Sequence, residues 1–64
     1  MHVPLNEAIE IYAKALRYKY GYRASYEARE KARQLAASGD HEGYTVWIKI
    51  AEIAEALSTR KAKH

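Results

Sequence analysis

Apolar residues return along this chain at helical intervals, three or four positions apart, and nowhere alternate with the period of two that marks a strand. The first run is Leu5, Ala8, Ile9, Tyr12, Leu16 and Tyr20. It opens at Pro4, whose fixed φ and missing N–H suit a first helical position. Gly21 closes it, because glycine accepts the left-handed backbone that ends many helices. Glu10 and Lys14 stand one turn apart in the favourable order for an ion pair.

A second helix is expected to begin at Ser25, whose hydroxyl can cap an otherwise unpaired first-turn N–H. Glu27 suits its positive end and stands one turn before Lys31. Its inward face reads Ala28, Ala32, Leu35 and Ala36. So thin a face buries little area, and at about 25 cal/mol per Å² it stabilises far less than one built from Leu and Ile. The run "ASGD" ends this helix at Gly39, and Asp40 caps the next, with Glu42 adding negative charge to its first turn. The third helix carries Val46, Trp47, Ile50, Ile53, Ala54 and Leu57, with Trp47 expected at the centre of the core.

Short connections predict antiparallel packing, so the expected architecture is a compact all-α three-helix bundle. The whole chain, 1–64, reads as one domain, with its basic tail, 58–64, expected to fray. Ile11, Tyr18 and Ile48 fall outside the three stripes. They either close the core of a monomer or form a second, partly exposed apolar surface.

Length sharpens this picture. A chain of 64 residues buries only roughly 60% of the surface that its unfolded form exposes. There is no cysteine, which removes disulfides, thiol catalysis and thiolate metal sites, and the expected compartment is a reducing cytoplasm. The N-terminal residues lack the pattern of a signal peptide, and no apolar run approaches the ~20 residues of a membrane span. The net charge is +3, but its layout says more. Seven Lys and Arg fall between Lys14 and Arg33 against Glu27 and Glu30, whereas four acids fall between Asp40 and Leu57 against Lys49.

Candidate chemistry is sparse. His2, His41 and His64 are scattered, and the neighbours Asp40, His41 and Glu42 point about 100° apart on a helix, so no metal site is expected. Catalysis needs positioned groups in a water-excluding pocket, for which a chain this small has little room, and neither catalytic residues nor a cofactor are expected. The stretch "RYKYGYR" is the exception. Arg17, Tyr18, Lys19, Tyr22 and Arg23 combine cations for phosphates with rings that stack on bases. Its tyrosines and arginines are also residue types that protein interfaces favour, over Lys and Glu. In a helix they scatter around the axis, so only part of the stretch can face one ligand.

Residues 32–57, "ARQLAASGDHEGYTVWIKIAEIAEAL", resemble a type seen in small uncharacterised bacterial proteins. Gly39, Asp40, Gly43, Trp47 and Ala51 carry the likeness. It implies a helical fold of unassigned activity and transfers no site. The expectation from the residues is a non-catalytic protein–protein interaction module, self-association included. The alternative is a weak, sequence-tolerant nucleic-acid-binding protein. No membrane partner is expected.

Overall fold

A computed structural model describes the backbone of residues 4–62 and the side chains of residues 4–57. No strand occurs among the described residues, which form α1 (Leu5–Tyr20), a 3-10 turn (Gly21–Arg23), α2 (Ala24–Ala37) and α3 (His41–Ala62). Of the tail expected to fray, 58–64, the backbone is helical through Ala62, and residues 63–64 lie outside the described residues.

Pro4 lies one position earlier than expected. It is the N-cap of α1, with extended backbone, and its carbonyl accepts from Ala8 N–H at 3.0 Å. Gly21 ends α1 with φ +64, a conformation that L side chains rarely adopt, and its N–H donates to the Arg17 carbonyl. No loop follows. The 3-10 turn feeds directly into α2, and the Ala24 N–H donates back to the Gly21 carbonyl. Ser25 is therefore not the cap expected from the sequence. It lies inside α2, half-buried, because the preceding turn already supplies acceptors to the incoming backbone.

The second junction follows the sequence. Gly39 adopts φ +88 and donates to the Ala36 carbonyl, while Asp40 N–H reaches the Leu35 carbonyl at 2.8 Å. This pair of bonds is a Schellman motif, which satisfies carbonyls that the helix end leaves open. Asp40 then turns from closing α2 to opening α3, its Oδ1 accepting from Gly43 N–H at 2.8 Å.

Gly43 is held to glycine by that cap. A Cβ there would stand 2.7 Å from Asp40 Oδ2 and 3.0 Å from Leu35 Cδ1. Alanine would ordinarily improve a helical position by ~1 kcal/mol. Here it must displace the capping carboxylate, whose loss costs ~1 kcal/mol by itself. Gly43→Ala is therefore expected to give no gain, with a Tm at or below that of the parent. Combined with Asp40→Ala it should cost less than the two changes summed, because the second alanine has no carboxylate left to displace. Thermal melts of the three variants check both statements.

Packing departs from the expected core. Buried side chains are Ile9 and Ala13 on α1, Ala24, Ala28 and Ala32 on α2, and Ile50, Ala51 and Ala54 on α3. Trp47 is not the buried centre. It is half-buried and lies against this cluster, with its ring edge-on to Tyr12 at a centroid distance of 5.2 Å. The cause is helix approach: where alanines meet, the backbones come too close to admit an indole between them. The α1 stripe is likewise rotated. Tyr12 and Tyr20, expected inside, are exposed, and Ala13 takes the inner position.

α2 packs most extensively on α3, α1 also packs on α3, and α1 touches α2 far less. The chain measures 40 × 31 × 16 Å, about two helices thick in its thinnest direction. This is an all-α arrangement in which α1 and α2, joined by the short turn, both rest on α3. It does not by itself establish the compact three-helix bundle, because the three-residue turn brings α1 and α2 into little mutual contact.

Candidate functional site

The basic–aromatic stretch spans the end of α1, the 3-10 turn and its exit. Tyr18 is 94% exposed and Tyr22 78% exposed. Lys19 and Arg23 are also exposed, but Arg17 is half-buried rather than freely available. The cations are engaged by the chain itself. The Arg17 guanidinium carbon stands 5.4 Å from the Tyr22 ring centroid, and Lys19 Nζ stands 5.4 Å from that of Tyr20. Such contacts are worth ~0.5–1 kcal/mol at exposed positions. Arg23 Nη2 donates to Glu27 Oε2 at 2.8 Å, so Glu27 pairs backward with Arg23. The structure thus brings Arg17 to Tyr22 and divides Tyr18 from both.

Tyr18 belongs instead to another surface. Ala8, Ile11, Ala15 and Tyr18 are all exposed, and the 3-4-3 spacing aligns them along one side of α1. That side points roughly opposite to Ile9 and Ala13, which face the core. Leu5, 63% exposed, and Tyr12, 45% exposed, widen it along one flank. Glu7 and Lys14 border the other flank, both exposed. A surface helix ordinarily turns charged residues to this side. Here apolar groups hold most of the circumference of α1, and among the described residues this outer side is left uncovered. Sequence reasoning noted Ile11 and Tyr18 as lying off the stripe, but it placed Ala8 inside, where the structure has it exposed, read Lys14 only as a partner of Glu10, and missed Ala15 and Glu7 as neighbours. The signal was the 3-4-3 spacing of a second seam.

A cleft of about 330 Å³ opens between α1 and α2. Tyr12, Leu16 and Tyr20 line it from α1, Glu27, Glu30 and Lys31 from α2, and Trp47 from α3. Its two carboxylates are engaged by arginines, Glu27 by Arg23 and Glu30 by Arg33. Among the described residues no cluster of three or more His, Cys, Asp or Glu is placed to hold a metal ion. No helix among them is long and apolar enough to cross a membrane.

No protein-family model, curated protein or solved structure matches the chain.

Proposed function

We propose that the protein is a non-catalytic, cytoplasmic interaction module that binds another protein surface through the outer side of α1. The observation that carries this reading is the uncovered apolar side of α1, where Ile11 is 59% and Tyr18 94% exposed. Contiguous exposed apolar residues on a small soluble chain mark an interaction surface. The thin interior adds to the argument. Besides Ile9 and Ile50, every buried described residue is alanine, so a partner that covers α1 supplies burial that the chain lacks. On this reading α1, α2 and α3 form an open version of a three-helix bundle, completed by what docks on α1. Nucleic acid is the second reading, favoured by the exposure of Tyr18 and Tyr22 next to Lys19. It ranks lower because Arg23 is tied to Glu27 and Arg17 to the Tyr22 ring.

A photo-crosslinking residue placed at Tyr18, with Lys49 on α3 as the control position, tests the proposal in the native cell. Protein adducts from position 18 and none from position 49 are expected. RNA or DNA adducts from position 18 would promote the second reading, and equal labelling at both positions would sink the assignment of α1.

A further inference from the structure

We infer that the partner of the α1 surface is a second copy of this chain, docked with the two α1 helices antiparallel. The inference rests on the reading of α1 as an interaction surface and names its occupant.

The seam itself points to a helix as occupant. Ala8, Ile11, Ala15 and Tyr18 repeat at intervals of three and four, the spacing with which two helices mesh side by side. The two alanines alternate with the larger residues, so a second helix can approach closely there. With the helices antiparallel, closest approach is symmetrical when Ala8 meets Ala15 of the second copy and the reverse, which sets a two-fold axis near Ile11. Ile11 then packs beside its own counterpart. A surface that is complementary to itself about an axis is what a two-fold homodimer requires.

The flanking charges select the antiparallel direction. Glu7 and Lys14 lie on the same flank of the seam, one on each side of that axis. Antiparallel helices bring like flanks together. Glu7 then lies within about two residues, ~3 Å along the axis, of Lys14 of the second copy, and the symmetry repeats the pair. Parallel helices bring opposite flanks together. Lys14 would then face Lys19 of the second copy, a repulsion at two places, and Glu7 would face Tyr12. Opposite charges within reach in one direction and like charges in the other discriminate between the two directions. The seam ends at Tyr18, because Gly21 breaks the helical register at φ +64. A contact limited to one helix of 16 residues is small, so the association belongs to the weak, reversible class.

Sedimentation equilibrium on the intact chain tests this. The parent is expected to pass from monomer to dimer as concentration rises. Glu7→Lys and Lys14→Glu should each weaken that association by roughly tenfold, since each turns two favourable surface pairs into two unfavourable ones. An equimolar mixture of the two variants should restore it as a mixed dimer, and the double exchange should restore it within one chain. Ile11→Asp should abolish it while leaving the helical circular dichroism unchanged, because Ile11 makes no part of the core cluster. Raised salt should weaken the parent and not the charge-neutral control Glu7→Gln/Lys14→Gln. Stronger association of Lys14→Glu would show parallel helices and overturn the direction. A parent that stays monomeric at millimolar concentration would overturn the second copy as partner. Crosslinking from position 18 to a different protein would then leave the interaction surface standing without it.

Discussion

Ile50→Ala is expected to leave much of the chain unfolded at room temperature. Ile50 is 3% exposed and Ile9 4% exposed, and they are the only buried described side chains larger than alanine. Truncating a buried isoleucine costs ~2–5 kcal/mol, part of it from the cavity that remains. Whole-domain stability at this length is roughly 3–10 kcal/mol, from ~0.05–0.15 kcal/mol per residue. One substitution therefore removes a large fraction of it. Neighbouring alanines have no longer side chain with which to refill the space. Urea unfolding followed by circular dichroism should show a midpoint shifted far down, or no folded baseline at all. Trp47→Ala is the comparison. Its indole is half-buried, so its loss removes one edge-on contact with Tyr12, worth ~0.5–1.5 kcal/mol, and part of its burial. It should cost less than the ~3–5 kcal/mol of a fully buried tryptophan. If Trp47→Ala proves the more damaging change, the centre of the core lies at Trp47 after all.

The contrast between these two residues shows what the sequence could carry. Chain ends of helices were legible where the determinants are local. Gly39 and Asp40 act within a few bonds of themselves, and both do what their residue types suggest. Ser25 failed because its role depended on whether the chain left helical geometry after Gly21, which no nearby residue decides. The rotation of α1 was hidden for a different reason. Apolar residues cover so much of its circumference that periodicity alone does not choose between Tyr12 and Ala13 for the inner side. The choice is made by α3, whose Ala51 and Ala54 favour small residues opposite them. The candidate site divides the same way. Tyr18, Lys19, Tyr22 and Arg23 are exposed as their placement near a turn implied, but the engagement of Arg17 by Tyr22 is tertiary geometry. The outer seam of α1 was present in the spacing of Ala8, Ile11, Ala15 and Tyr18. It became informative only once Ile9 and Ala13 were fixed as the inner side.

Ala28→Leu should be nearly as damaging as Ile50→Ala, although it adds apolar area. Ala24, Ala28 and Ala32 stand one turn apart on α2, each fully buried, and Ala51 and Ala54 on α3 are fully buried as well. Ala28 shares one cluster with Ala51, Ala54 and Ile50. Helices that meet through alanines have closed the space that a leucine would need. Three extra carbons must then push α2 from α3 or force strained rotamers, at ~1–3 kcal/mol and occasionally more. The effect belongs to packing, since leucine and alanine differ little in helix propensity. Separation of α2 from α3 would also weaken the ion pair between Arg29 and Glu55, now 2.7 Å apart, although an exposed pair contributes at most ~1 kcal/mol. Ala37→Leu is the matched control, because Ala37 lies exposed near the end of the same helix. Thermal melts should show a drop of roughly 5 °C or more for Ala28→Leu, by the ~4–8 °C per kcal/mol of small domains, and almost none for Ala37→Leu. A rise in Tm for Ala28→Leu would mean that leucine fills a gap. The alanine seam would then be loose, and the thin interior would reflect missing side chains rather than close helix approach.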